Sequence, residues 1–303
     1  MLRGLFRRFD APGELKGAST TRPGPAALSI RWLGTAAHAI RFAGETLLLD
    51  PFVSRPGFGS LLRPLRPDLR AIERWAPEAC AVVVGHAHYD HLLDAPAIAR
   101  RTGAVLIGSR STGRVGLGHG VERSRILAAG ALEASVGPFS IELVPSRHAK
   151  VVLGRASPFP GEIPRVPRRP LRVHHYRDGG ALGVLVRAGD VTVYHNGSAD
   201  LVDAALEGKR ADVLLCGIAG WRYTEGYLER LVRLLAPRLI VPTHYDAFFW
   251  PLEEGVRLLP GLAFDRFLDE AARVAPGARV LAPGPWEQLR ISNGGRSFEV
   301  VSV

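Results

Sequence analysis

Residues 81–91 read Ala81-Val82-Val83-Val84-Gly85-His86-Ala87-His88-Tyr89-Asp90-His91. A short apolar run closed by glycine is the pattern of a strand buried on both faces. The polar residues that follow leave the end of that strand together. Three imidazoles and a carboxylate so close can converge on one or two divalent ions. Packing alone gives no reason for such density beside a buried strand, where each unpartnered polar group carries a desolvation cost.

Upstream, residues 28–33, 39–42 and 46–49 are short strand-like pieces punctuated by Gly34 and Gly44, which predicts a run of antiparallel strands. Downstream, apolar runs at 105–107, 141–144, 182–186, 191–194, 213–215 and 239–241 read as buried strands. Helical patterns fall at 92–101, 201–207 and 224–235, the first with Asp94 and Pro96 near its start as a capped opening. Strand-rich and helix-rich stretches recur twice, so the expected class is α/β (α+β), two packed sheets with helices outside. Residues 1–24 lack any period and read as an N-terminal arm, leaving 25–303 as a single domain. Residues 156–170 hold five prolines and three arginines, a composition that excludes helix and inner strand and predicts a surface loop.

The chain of 303 residues is 47% hydrophobic and 22% charged, enough to bury a sizeable core. No apolar run approaches the roughly 20 residues needed to cross a bilayer, and the first residues lack the apolar stretch of a secretion signal, so the expected location is the cytoplasm. Cys80 and Cys216 each border an apolar run and read as core residues, in keeping with a reducing compartment. The net charge of +10 is almost wholly arginine, the lysines being only Lys16, Lys150 and Lys209. These arginines are scattered, without the aromatic interleaving that stacks bases, so nucleic acid is not the expected partner and a small, even anionic, substrate is.

The order His86, His88, Asp90, His91 matches the H-x-H-x-D-H signature of the metallo-β-lactamase superfamily, which this sequence resembles over most of its length. The segments Gly34-Thr35-Ala36-Ala37-His38 and Leu49-Asp50-Pro51-Phe52 are similar to the first strands of the ascorbate-phosphate lactonase and N-acyl-phosphatidylethanolamine phospholipase D branch. The resemblance implies a four-layer αββα sandwich with metals at one sheet edge. It also implies His86, His88 and His148 as ligands of one ion, and Asp90, His91 and His244 as ligands of the other. Where family members carry a bridging Asp, this sequence has Ser198, and Asp200, His195 or water stands open as the substitute.

The implied chemistry is that of a metallo-hydrolase acting on a small ester, lactone or phosphoester through metal-activated hydroxide, with Asp90 as the catalytic carboxylate. Zinc is the expected metal, in two ions or one, with iron or manganese also admitted by these ligands. Candidate oxyanion donors are Tyr89, Arg147 and Tyr245, and arginines of the loop at 156–172 are candidates for holding a phosphate or carboxylate. Three alternatives stay open: iron-dependent sulfur or oxygen chemistry on the same fold, nucleic-acid processing, and a degenerate non-catalytic binding protein. The roughly fifty residues between His148 and Asp200 leave little room for an inserted clamp, which disfavours the second. The retained histidines disfavour the third.

Overall fold

The computed structural model describes residues 8–10, 28–129, 132–168 and 170–302. Most of the expected N-terminal arm thus lies outside the described residues. Within it, Phe9 N donates to Val256 O at 3.0 Å, and its ring lies 5.2 Å from Tyr245 and 4.7 Å from Phe264.

Strands β1 (Leu28–Trp32), β2 (His38–Phe42) and β3 (Glu45–Leu49) form an antiparallel meander, and β4 (Ala81–Val83), β5 (Val105–Gly108) and β6 (Ile126–Ala128) extend it in parallel. A second sheet takes β7 (Leu132–Val136), β8 (Phe139–Pro145), β9 (Leu182–Ala188) and β10 (Val191–Asn196) antiparallel, then β11 (Val213–Gly217), β12 (Leu239–Thr243) and β13 (Arg279–Val280) parallel. The chain returns to the first sheet with β14 (Glu287–Ser292) and β15 (Ser297–Ser302), β14 pairing with β1. The helices are α1 (Leu69–Trp75), α2 (Tyr89–Leu92), α3 (Ala95–Thr102), α4 (Arg110–Gly118), α5 (Asp203–Leu206), α6 (Tyr227–Leu235) and α7 (Phe264–Val274).

Side-chain alternation along the strands sets the layers. Leu47, Leu49, Ala81 and Val83 of the first sheet meet Val184, Val193, Val213 and Leu215 of the second in one buried cluster between the sheets. Their neighbours Leu48, Val82 and Leu106 face outward and pack with Ile72 of α1 and Ile98 of α3. On the far side Tyr194, Leu214 and Ile240 pack with Leu228 and Leu231 of α6 and Phe267 of α7. Helix, sheet, sheet and helix are the four layers expected. The strands read as unbroken apolar runs because they are covered on both faces.

Several elements had no clear sequence signal. Helix α4 carries Gly113, Gly116 and Gly118, poor helix formers, yet a Cβ at Gly113 would sit 2.5 Å from Ala128 Cβ and one at Gly116 2.6 Å from Leu106 Cδ2. Those glycines let the helix lie close on β5 and β6. The helix expected at 92–101 is α3, with Leu92 closing the short α2 before it, and Asp94 stands at the N-cap of α3 without capping it by its side chain. Its carboxylate instead accepts from Val53 N at 2.6 Å and Ser54 N at 2.7 Å, fastening the segment after β3 beneath α3. No helix among the described residues is long and apolar enough to cross a membrane.

The edge at the ends of β3, β4, β10 and β12 is held by a clamp centred on Thr35. Its carbonyl accepts from Thr243 Oγ1 and His244 N, both at 2.8 Å, and its amide donates to Asp246 Oδ1 at 2.9 Å. Asp246 in turn pairs with Arg55 at 2.7 Å, both side chains buried. Removing one member leaves the other charged and unpaired in the interior. Asp246→Ala is therefore expected to cost about 3–5 kcal/mol of stability, read as a lower urea midpoint with little change in slope.

Candidate metal centre

Strand β4 ends at Val83, and Gly85 N donates to Asp50 Oδ1 at 2.6 Å, so the turn carrying His86 and His88 is tied to the end of β3. Helix α2 then places Asp90 and His91 on the same side. His148 follows β8 and bridges to Ala199 in the turn after β10, while His244 directly follows β12. Ala199 and His244 both take left-handed backbone, at φ 54 and 56, as does Asp50 at φ 43. Non-glycine residues in that region cluster where the fold dictates an exact side-chain placement.

These turns bring six expected ligands into two groups. His86, His88 and His148 form one, and Asp90, His91 and His244 the other, the ligand atoms of each within 4.8 Å of one another. Asp90 Oδ2 lies 3.2 Å from His244 Nε2 and 3.7 Å from His91 Nε2. The rings are oriented by contacts on their far sides. His88 Nε2 bonds the Pro158 carbonyl at 2.8 Å, and His148 Nδ1 bonds the Ala149 carbonyl at 2.7 Å, which frees the opposite nitrogen of each. His86 Nε2 is buried with no hydrogen-bond partner. Imidazoles with one nitrogen fixed and the other bare, beside one carboxylate, suit a divalent transition ion such as zinc, and the residues fit the metal that the sequence implied.

Beneath them lies Asp50, fully buried. Its Oδ2 is 2.9 Å from His91 Nδ1 and 2.8 Å from His195 Nε2. Burial alone would raise its pKa, but His91 and His195 hold it well below the usual carboxylate range. Burial pulls His91 down while Asp50 and Asp90 lift it, with a net rise. Burial and crowding by neighbouring histidines lower His86 and His148, the latter to about 3. Gly197 is required by the same hub, since a Cβ there would stand 2.8 Å from Asp50 Oδ2.

Asp200 does not join the cluster. Its carbonyl is captured by Ser146 Oγ at 2.9 Å and Asn196 Nδ2 at 3.0 Å, and its carboxylate accepts from Leu201 N at 2.7 Å. The turn through left-handed Ala199 is thereby fixed with the side chain capping its own neighbour, so the expectation of a bridging Asp200 is corrected. Ser198 takes the nearby position and donates to Arg147 O at 2.9 Å. His195 reaches the centre only through Asp50. Of the candidate oxyanion donors, Tyr89 lines the cavity over the cluster, Arg147 is exposed outside it, and Tyr245 is buried against Trp32.

That cavity has a volume of about 380 Å³, with His88, Asp90, His148 and His244 in its floor. Comparison with known proteins shows the family. A family model described as a beta-lactamase superfamily domain matches residues 29–244, from the first strand to the last histidine of the centre. The chain belongs to the beta-lactamase superfamily. A UPF0173 metal-dependent hydrolase of Methanopyrus kandleri is 31% identical over 73% of this chain and 85% of its own. Another, of Carboxydothermus hydrogenoformans, is 28% identical over 85% of this chain and 98% of its own. Among solved structures, the metallo hydrolase Igni18 of Ignicoccus hospitalis superposes with a TM-score of 0.58 at 20% identity, covering 88% of this chain and 99% of that one. CmlA, a diiron β-hydroxylase of Streptomyces venezuelae, gives 0.54 at 16% identity over 90% of this chain and 55% of its own. These structural likenesses show the superfamily fold.

Sequence reasoning assigned no role to Asp50 or His38, though both stand in the segments that carry the resemblance. A carboxylate directly after a buried apolar strand was the available signal. His38 is fully buried, Nδ1 on the Ala36 carbonyl at 3.0 Å, Nε2 without a partner, its ring 5.6 Å from His195. Burial, reinforced by His195, depresses it from 6.5 to about 3. A histidine depressed in the fold contributes stability above its unfolded pKa, and that stability is lost as pH falls toward the folded value. The metal-free protein is expected to lose stability to urea as pH falls from 6.5 toward 3. His38→Gln should reduce that slope by up to about 1.4 kcal/mol per pH unit; an unchanged slope would show that His38 is not held neutral.

Proposed function

We propose that this protein is a metal-dependent hydrolase of small molecules, acting on an ester, lactone or phosphoester. The convergence of two ligand triads beneath one cavity, with His88 and His148 of one and Asp90 and His244 of the other lining it, carries the reading. His86, His88 and His148 would hold one zinc ion, and Asp90, His91 and His244 a second. Such ions supply acidified water and polarise a carbonyl or phosphoryl oxygen. Asp90, which lines the cavity and belongs to the second triad, would orient or deprotonate that water. Tyr89 lines the cavity, burial raises the pKa of its hydroxyl, and that hydroxyl is the candidate donor to a developing oxyanion. The names of the curated relatives support hydrolysis, and the site lies where sheets of this kind bind ligands, beyond the carboxyl ends of parallel strands.

One feature sets the two triads apart. Among their six ligands only Asp90 is anionic, and the next carboxylate, Asp50, is committed to Gly85, His91 and His195. Two dications about 3.5–4 Å apart repel strongly unless anionic ligands lie between them. Calorimetric titration with zinc is expected to show two unequal steps, and Ser198→Asp should strengthen the weaker one. Equal steps in the unaltered protein would contradict the assignment.

His88→Ala is expected to abolish turnover of chromogenic esters, lactones and phosphoesters and to lower zinc content, with the urea midpoint of the metal-free protein kept. Turnover that survives this substitution would place the chemistry elsewhere. An iron-loaded protein without hydrolytic turnover would favour oxidative chemistry.

A further inference from the structure

The loop at 156–172 was expected to bring arginines to the metal edge. The structure brings Pro158 and Phe159 there and places Arg165, Arg168 and Arg172 along a separate groove. The anchoring explains the division. The Pro158 carbonyl is bonded by His88 Nε2, the Phe159 carbonyl accepts from Asp178 N at 3.1 Å, and Arg172 Nη1 is turned away onto the Leu62 carbonyl at 2.8 Å. Phe159 is held at φ 42, a backbone region that bulky residues seldom adopt.

Beyond its ligand floor the cavity wall is apolar: Val151, Phe159, Trp221, Phe248 and Leu262. Among the described residues its only arginine is the exposed Arg222, whose Nη2 donates to the Gly261 carbonyl at 2.7 Å, and no described lysine lines it. Phe159 and Tyr223 are 41% and 47% exposed, large rings left to water at the cavity, while Trp221 and Leu262 in the same wall are buried. Exposed aromatic surface at the opening of an apolar pocket is recovered by an apolar ligand that covers it. A charged group seated on the apolar part of this wall, away from Arg222, would lose its water without gaining a counter-ion.

We infer that the group the substrate presents beyond its scissile bond is uncharged and apolar, an acyl chain or aryl ring, and that Phe159 and Tyr223 set this preference. This rests on the hydrolase reading for its kinetic test only. With the zinc-loaded protein, kcat/KM is compared for 4-nitrophenyl acetate, butyrate and hexanoate and for the 4-nitrophenyl monoester of glutaric acid, which carries a distal carboxylate. The expected result is a rise of about fourfold per methylene until the cavity is filled, with the glutarate monoester at least about tenfold below butyrate. Phe159→Ala and Tyr223→Ala should each flatten the chain-length dependence through KM, and Arg168→Ala should leave it as it was. A flat series, or a glutarate monoester as good as butyrate, overturns the inference. Calorimetric binding of 2-octanone against 5-oxohexanoate separates the two claims. Binding of the neutral ketone alone, without turnover of any ester, lactone or phosphoester, upholds the apolar cavity and overturns the hydrolase reading; equal or preferred binding of the keto acid overturns the inference itself.

Discussion

A single buried carboxylate joins the two sheets beneath the metal edge. Asp50 ends β3 and touches the Gly85 amide after β4, the His91 ring on α2 and the His195 ring on β10 of the opposite sheet. Burying a lone carboxylate is prohibitive unless its oxygens are satisfied. Here they meet a backbone amide and two imidazoles, so ionisation is favoured in the interior and the partners are held in one orientation. The strain at Asp50 and the bare Gly197 facing it follow from that junction. The far nitrogen of His91 is thereby aimed into its triad.

The candidate centre is assembled from loops at several strand ends, and several of its side chains are oriented by groups outside the two triads, His91 by the Asp50 carboxylate. His88 and His148 are set by carbonyls, and the backbone of His244 by the Thr35 clamp. Such preorganisation lets the His86 and His148 rings stay buried with their pKa values depressed, the fold carrying the desolvation cost that a bound ion would offset. His88 also ties the centre to Pro158, next to the ring that shapes the cavity wall. The carbonyl that orients the His88 ring and the aromatic ring that lines the cavity thus stand side by side in one short loop.

Much of this was legible in the sequence. The six residues His86, His88, Asp90, His91, His148 and His244 are brought together as the motif order implied, and the buried strands follow the apolar runs closely. The signal failed where tertiary packing overrode local propensity. Helix α4 hides behind glycines needed for close approach, and Asp94 serves the segment after β3 in place of a helix cap. Asp200 and the loop arginines misled for a common reason. Proximity along the chain says nothing about side-chain direction, which at Asp200 is set by bonds to its own carbonyl and in the loop by anchors at Pro158 and Phe159. Asp50 showed only as an acid after an apolar strand, and its role appears once the second sheet brings His195 to it.

The most direct test of the metal centre is anomalous diffraction at the zinc edge from crystals grown with zinc. The account predicts density about 2.0–2.1 Å from ring nitrogens of His86, His88 and His148, with weaker density between Asp90, His91 and His244 and none beside Asp200. Density absent from both triads, or zinc held by Asp200, would contradict it.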